Sequence, residues 1–287
     1  MRAAWWCCGL LAATAGGARA ADEAVPSLGG VAERRAPAPL WELGLGAAAL
    51  SLPDYRGSDQ SRTYLLPLPY VVYRGDWLRA DRDGARALLI QTERVKVDVS
   101  LAASVPTRSR DNAARAGMPN LPGTVEIGPN LNLGLFESPG RGARLDLRLP
   151  VRAAISIERS PDVIGTTFSP NLNLDLRGPG GWNVGLLGGP LFGDRRYHAH
   201  FYGVDPAYAT PQRPAYQARG GYAGWQALTA ISRRSGKLWI GAFVRYDSLR
   251  GAVIADSPLV RRDHEVTAGI GVSWVFATSG QLVSTDD

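Results

Sequence analysis

The sequence is poor in cysteine. Its two cysteines, Cys7 and Cys8, lie in an N-terminal segment with a positive start at Arg2, an apolar run over residues 3–15 and the small-residue sequence ARA at 18–20. These are the features of a secretory signal peptide. We therefore expect residues 1–20 to be a signal peptide cleaved near Ala20. The exported chain would then contain no cysteine, which excludes disulfide bonds.

The sequence also lacks a long apolar run beyond residue 20. A membrane-spanning helix needs roughly 20 apolar residues, so helical spans are excluded, and the apolar run of the signal is itself too short. The charge excess is small, because the loss of Arg2 and Arg19 lowers the formal net charge from +6 to +4. This mild excess gives no reason to predict a nucleic-acid partner.

Groups that carry chemistry are scarce. The histidines are His198, His200 and His264. His198 and His200, with acidic residues nearby, could bind a metal, but two exposed histidines in a long loop are the preferred interpretation, and the choice stays open. There is no G-x-S-x-G motif or other convincing nucleophile arrangement. We predict no enzyme and no cofactor, although spacing does not exclude a serine or histidine site of an outer-membrane phospholipase or deacylase.

What the sequence has instead is strict alternation of apolar and polar residues. VKVDVSL at 95–101 and RLDLRLPV at 144–151 are examples. Successive side chains of a strand point to opposite faces, so each segment has one apolar face and one polar face. Several segments keep the pattern over roughly 10–13 residues, longer than the usual soluble strand of about 5–6. That is the length of a tilted membrane-crossing strand.

Alternation predicts a strand in twelve segments. They are residues 40–50, 63–73, 77–82, 85–92, 95–104, 123–136, 143–157, 165–177, 181–192, 218–232, 237–249 and 264–276. Connections after even-numbered strands are tight, and most of those after odd-numbered strands are long. This layout predicts an all-β fold, a transmembrane up-and-down antiparallel β-barrel of about 12 strands (10–14), with short periplasmic turns and long extracellular loops.

The remaining residues flank this barrel. Residues 40–276 would form the barrel, residues 21–39 a flexible periplasmic lead-in and residues 277–287 a periplasmic C-terminal tail. The barrel would lie in the outer membrane of a Gram-negative cell, in contact with lipid. Arginines of the outer loops suit the phosphates of lipopolysaccharide, which we expect as a further contact.

One phrase occurs twice, as GPNLNLGL at 128–135 and SPNLNLDL at 169–176. These are the sixth and eighth predicted strands, which run in the same direction. Both would place leucines toward lipid and asparagines toward the lumen at one depth. Two interpretations are open. The two phrases are similar because similar strands of one barrel meet the same structural requirements, or they form a shared polar ring that holds water or an ion. Pro129 and Pro170 each lack a backbone donor, so we expect a bulge or a strand start near each.

The polar faces predict a set of lumen side chains. These are Lys96, Asp98, Glu126, Asn130, Asn132, Asp146, Arg148, Asn171, Asn173, Asp175 and Arg245. Opposite charges would pair and fill the barrel, or line a narrow aqueous path; the mixed signs favour a filled lumen. The tight turns carry a second set of cations, which could dock an acidic partner surface: Arg94, Arg141, Arg233, Arg234 and Lys237.

Residues 52–81, LPDYRGSDQSRTYLLPLPYVVYRGDWLRAD, resemble the signature region of the MipA/OmpV outer-membrane proteins, the MltA-interacting protein family. The matching elements are Y-x-G-S-D, then P-x-P-Y, then Y-R-G-D. Their residues are Tyr55, Gly57, Ser58 and Asp59, then Pro67, Pro69 and Tyr70, then Tyr73, Arg74, Gly75 and Asp76. Further elements follow in order at 201–204, 213–216 and 256–260.

The resemblance implies a barrel without a catalytic motif. It implies a scaffold for a membrane-bound lytic transglycosylase and a peptidoglycan synthase as partners in the cell envelope. Other members of the family are porin-like, adhesive or envelope-stress proteins, so a porin-like channel for small solutes or an adhesion or stress role is the alternative.

Overall fold

The computed structural model describes residues 38–75, 78–81, 84–92, 94–139 and 142–283. Thirteen strands form one sheet in which every pair is antiparallel. They are β2 Trp41–Pro53, β3 Ser61–Arg74, β4 Leu78–Asp81, β5 Gly84–Gln91, β6 Val95–Ala103, β7 Thr124–Glu137, β8 Ala143–Ser156, β9 Val163–Phe168, β10 Asn171–Arg177, β11 Trp182–Gly193, β12 Gly221–Ser235, β13 Leu238–Ser248 and β14 His264–Thr278. Two short strands, β1 Ala38–Pro39 and β15 Leu282–Val283, pair with each other.

The sheet closes on itself. β14 pairs with β2, and both β9 and β10 lie between β8 and β11. β9 and β10 are therefore two halves of one strand position, which gives twelve positions around the barrel. The predicted antiparallel barrel is confirmed, with most strand boundaries within three residues of the prediction.

Two prolines show how the ladder tolerates a missing donor. The predicted strand 165–177 is divided at Pro170, between β9 and β10, as expected for a residue without an N–H. The same expectation for Pro129 is wrong, because Pro129 lies inside β7 opposite Val99 with the β6–β7 register unbroken. Its missing N–H falls on the β8 side, where no Cα pairs are formed between Ile127 and Asn130.

Burial alternates along the strands. In β14 one set of side chains is exposed and the next is buried: Val266, Ile270, Val272, Trp274 and Phe276 against Glu265, Thr267, Gly271, Ser273 and Val275. The exposed set recurs around the barrel, and Leu65 is 79% exposed. An apolar belt of this extent is far larger than a soluble monomer shows. It is the lipid-facing surface of a transmembrane barrel.

The two ends of the barrel differ. The turns that follow β3, β5, β7, β10 and β12 are short and share what we call the turn end; the long loops share the opposite loop end. At the turn end β1 and β15 continue the β14–β2 ladder, so residues of the predicted lead-in and tail pair with each other. Residues 1–37, with the predicted signal peptide, lie outside the described residues.

The long loops form a packed layer. They contain one helix, α1 Arg195–Tyr202, whose N-terminus is capped by the Asp194 side chain, and several single turns of 3-10 helix. Their apolar side chains make a buried core at the loop end, which we call the loop cap: Tyr55, Leu121, Phe201, Tyr202, Val204, Leu249, Ile254 and Leu259. In the part of the chain that the structure describes, no helix is long and apolar enough to cross a membrane.

Candidate functional site

The Y-x-G-S-D signature builds the loop cap. The Tyr55 ring is fully buried and its hydroxyl donates to the Leu259 carbonyl at 2.7 Å. Gly57 has a φ of 84°, a backbone conformation that residues with a side chain rarely adopt. Its N–H donates to Glu265 Oε2 at 3.0 Å. Ser58 is buried and Asp59 is exposed. The motif therefore ties the first loop to the last one.

Asp54, one residue before the motif, is a hub that the sequence did not reveal. Its carboxylate is fully buried. It accepts from Arg62 Nε at 2.8 Å and from Asn112 Nδ2 at 2.9 Å, while its carbonyl accepts from the Thr107 hydroxyl at 2.7 Å. A buried carboxylate is stable only when it is paired and hydrogen-bonded. Asp54 thus fastens the loop 104–123 to the β2–β3 loop.

Replacing Asp54 with alanine is expected to release this loop while the barrel stays folded. Asn112 Nδ2 would keep only its hydrogen bond to the Ser58 hydroxyl, and Arg62 would lose its buried counter-charge. Limited proteolysis should then cut within residues 104–123 many times faster than in the wild type. Asp59→Ala is the matched control, because Asp59 lies in the same loop but is exposed. Equal cleavage rates in the two variants would contradict the hub.

The two loop histidines are not exposed, so that prediction is wrong. His198 is fully buried, and its Nδ1 lies 2.6 Å from the Arg219 carbonyl. His200 lines a cleft of about 560 Å³ between the loops 104–123 and 194–220. Burial, with the Arg115 charge as a second cause, lowers the pKa of His200 to about 4. Within the described residues no group of three or more His, Cys, Asp and Glu side chains could hold a metal.

The loop cap should weaken in acid. The pKa of His200 falls on folding from 6.5 to about 4, so the open loop binds a proton that the closed loop excludes. The contribution of His200 to the stability of the closed loop is therefore fully present above pH 6.5 and is lost as the pH falls toward 4. Hydrogen exchange in residues 195–202 should accelerate across this window. His200→Gln should reduce the acceleration but not abolish it, because burial also lowers the pKa of His198 in the same helix. A dependence that the substitution leaves unchanged would contradict the assignment.

One wall of the lumen is polar. Asp98 on β6 is buried and accepts from Asn130 Nδ2 at 3.1 Å and Asn132 Nδ2 at 3.0 Å, both on β7. In the second copy of the phrase, Asn171 donates to the Ser169 carbonyl and Asn173 donates to Asp175 at 2.8 Å. The two copies therefore lie on this wall, with Asn132 and Asn171 on either side of Arg148 on β8, and the asparagines of each copy have different hydrogen-bond partners.

The other predicted lumen charges are mostly paired. Arg148 Nη2 lies 3.9 Å from Asp175 and Arg144 Nε 2.8 Å from Asp146. Arg245 Nε lies 2.6 Å from Asp247. Glu126 accepts from the hydroxyls of Thr167 and of Tyr197, which lies on α1; Lys96 is half-buried. These pairs place opposite charges side by side within the barrel.

The opposite wall is apolar, which the sequence analysis did not anticipate. Leu50, Tyr64 and Phe243 are buried together on β2, β3 and β13. Tyr70, Trp239 and Val275 form a second cluster toward the turn end. Barrel interiors are ordinarily polar, so an apolar wall needs an explanation of its own.

At the turn end an ion cluster joins β2, β3 and β12. Glu42 is 1% exposed. It accepts from Arg74 Nη2 at 2.8 Å and from Arg234 Nη1, and Arg74 also donates to the Pro39 carbonyl. Arg74 belongs to the Y-R-G-D motif, in which Tyr73 and Gly75 are half-buried and Asp76 lies outside the described residues. Through Arg74 the motif is thus part of the ion cluster at the turn end.

The predicted docking cations fall in different places. Arg94 and Lys237 are exposed at the turn end. Arg233 faces outward, with its guanidinium 5.6 Å from the Trp182 ring, a position suited to the lipid interface. Arg234 is engaged by Glu42, and Arg141 lies outside the described residues. Of the described members of this set, Arg94 and Lys237 are the ones exposed at the turn end.

The family model described as "MltA-interacting protein MipA" matches residues 45–276. A search of curated proteins gave no match. Among solved structures, Pseudomonas putida OprB is 10% identical with a TM-score of 0.36, covering 67% of this chain and 47% of its own, so the chain spans about half the length of OprB.

A bacterial polysaccharide outer membrane secretin gives a TM-score of 0.41 at 10% identity, covering 83% and 99% of the two chains. The Pseudomonas putida toluene transporter TodX gives 0.35 at 10%, covering 84% and 90%. Structural similarities with TM-scores and identities this low support no conclusion about function.

Proposed function

The chain belongs to the MipA family of MltA-interacting proteins, and from that premise we propose that it is a non-enzymatic scaffold of the outer membrane. The protein is an outer-membrane β-barrel with the short-turn and long-loop layout of that class. In the proposed role its turn end faces the periplasm. There it binds a lytic transglycosylase of the MltA type together with a peptidoglycan synthase.

Family membership over residues 45–276 is the observation that carries this proposal. The exposed cations Arg94 and Lys237 support it, because charge on an accessible rim steers an acidic partner surface into contact. The loop cap and the Glu42 cluster also favour a scaffold over an open porin-like channel, since described side chains form a packed core at the loop end and an ion cluster at the turn end.

Reversing the two cations tests the docking surface. Arg94→Glu with Lys237→Glu should weaken capture of a purified MltA-type lytic transglycosylase by roughly tenfold or more, since each 1.4 kcal/mol changes an affinity tenfold. The dissociation constant is measured by biolayer interferometry with the barrel in nanodiscs. Neither side chain has a hydrogen bond or ion pair within the described residues, so folding should be unaffected.

The matched control reverses two loop-end cations, Arg110→Glu with Arg196→Glu, whose side chains are 72% and 65% exposed. This control changes the net charge equally and should leave capture unchanged. Equal weakening in both variants would show general electrostatic attraction, and unchanged capture in the turn-end variant would remove these residues from the docking surface. Absence of capture by the wild type would overturn the proposed function.

A further inference from the structure

The barrel wall is incomplete on one side. β3 pairs with β2 along its whole length, but with β4 only at Tyr73 and Arg74. Among the described residues no strand pairs with residues 61–72 of β3 on the side away from β2. Across the gap, β6 pairs with β5 only from Lys96 to Asp98, so its residues 99–103 pair with β7 alone.

We call this gap the side window. Its two edges are residues 61–72 of β3 and residues 99–103 of β6. The β4–β5 hairpin ends at the Asp81–Gly84 pair and fills only the part nearest the turn end. The loop 104–123 crosses above it and is fastened to the β2–β3 side, where Arg62 Nη2 donates to the Asp111 carbonyl at 2.7 Å and Ala113 N–H donates to Gln60. The window therefore lies at membrane depth, on the half of the wall toward the loop end.

Two prolines indicate that another strand does not fill the window. Pro67 and Pro69 lie inside the unbroken β2–β3 register. Their missing N–H groups must therefore be on the window side, because a proline directed toward β2 would interrupt that ladder. An edge without these donors is a poor template for an added strand. Unpaired backbone is tolerated at membrane depth only beside protein or a cavity, so the edge adjoins the lumen.

The lumen wall beside the window is the apolar one. Tyr64, Leu66, Leu68 and Tyr70 follow one another along the inner face of β3 and pack into the two apolar clusters. On the outer face of the same strand, Leu65 is 79% and Val71 51% exposed. An apolar surface thus runs from the lipid, around the unpaired edge of β3, into the lumen.

The same wall offers polar groups. The buried hydroxyls of Tyr64 and Tyr70 and the Trp239 indole N–H have no hydrogen-bond partner among the described residues. Buried donors of this kind are costly unless something binds them. A ligand that covers the apolar wall and also accepts a hydrogen bond from one of these donors has an apolar chain and a polar head. The loop cap packs over the loop end and the Glu42 cluster lies at the turn end, so a chain from the surrounding lipid would enter through the side window.

We propose that the side window admits the acyl chain of an amphiphile from the surrounding leaflet onto the apolar wall of the lumen. The chain lies along Leu66 and Leu68, and the head accepts a hydrogen bond from the Tyr64 hydroxyl, at the end of β3 nearer the loop cap. This binding activity is separate from the scaffold role and needs no partner protein.

Photo-labelling tests the proposal. The full-length exported chain is reconstituted in nanodiscs of phosphatidylethanolamine and phosphatidylglycerol with a diazirine-bearing palmitic acid, irradiated and mapped by peptide mass spectrometry. We expect adducts on the inward-facing Tyr64, Leu66 and Leu68 in addition to the lipid-facing Leu65, which is the internal reference. Heat-modifiable migration on gels confirms that the barrel is folded.

A variant sharpens the test. Leu66→Asn with Leu68→Asn should lower labelling of Tyr64 and Phe243 on the order of tenfold, as expected when a few buried methylenes lose their contacts, while labelling of Leu65 is unchanged. Adducts confined to outward-facing residues in the wild type would overturn the proposal. So would unchanged inward labelling in the variant, or cross-links between two β3 strands showing that a second copy covers the edge.

Discussion

Replacing Gly46 with alanine is expected to prevent the barrel from closing. Gly46 lies on β2 opposite Ser273 of β14, at the seam between the first and last strands of the barrel. A Cβ there would overlap the Val272 carbonyl oxygen and lie 2.6 Å from Ser273 Cα. Overpacking costs about 1–3 kcal/mol when side chains can adjust. Here the obstacle is backbone, so we expect at least the upper end of that range.

Heat-modifiable migration on gels measures this outcome, since a closed barrel migrates differently before and after boiling. Gly46→Ala should show little of the folded form. Gly142→Ala is the matched control, because a Cβ at Gly142 meets nothing within 4 Å. A folded fraction for Gly46→Ala equal to that of Gly142→Ala would contradict the tight seam.

Replacing Glu42 with alanine should destabilise the turn end strongly. The variant leaves Arg74 and Arg234 facing each other without their shared counter-charge. Breaking a fully buried pair costs about 3–5 kcal/mol. The two arginine side chains are 22% and 20% exposed, and solvent screening reduces the expected loss to about 2–3 kcal/mol. The loss should appear as a lower unfolding temperature in detergent.

The control for this prediction is Asp263→Ala, which breaks an ion pair with Arg250 in which the side chains are 51% and 75% exposed. An exposed pair contributes little, so this variant should unfold close to the wild type. Glu42→Gln should recover part of the loss, because the amide oxygen still accepts one hydrogen bond. If Glu42→Ala and Asp263→Ala unfold at the same temperature, the cluster is not structural.

Alternation made the barrel predictable because each strand must meet lipid on one face. In residues 95–101 and 144–151, for example, every second residue is apolar. The loops carry no such repeat, since residues far apart in sequence form the loop cap. Asp54 is a single residue whose carboxylate accepts from residues 62 and 112 and whose carbonyl accepts from residue 107, and nothing local distinguishes it from the exposed Asp59.

The apolar lumen wall did leave a signal in the sequence. Residues 64–72, YLLPLPYVV, are apolar at even and odd positions alike. Such a run is typical of a strand buried on both faces, and in a barrel it indicates an apolar interior beside the lipid. The two prolines within it indicate an edge strand. The position of Arg234 was not predictable, because its partner Glu42 lies 192 residues away.

The central claim, a scaffold for peptidoglycan-remodelling enzymes, is tested most directly in the native cell. The protein is cross-linked from the periplasmic side, purified, and its captured partners are identified by quantitative mass spectrometry against a barrel of unrelated family. We expect enrichment of a lytic transglycosylase or a peptidoglycan synthase, and less enrichment when the charges of Arg94 and Lys237 are reversed. Enrichment of neither enzyme, with the protein folded and at its native abundance, would contradict the claim.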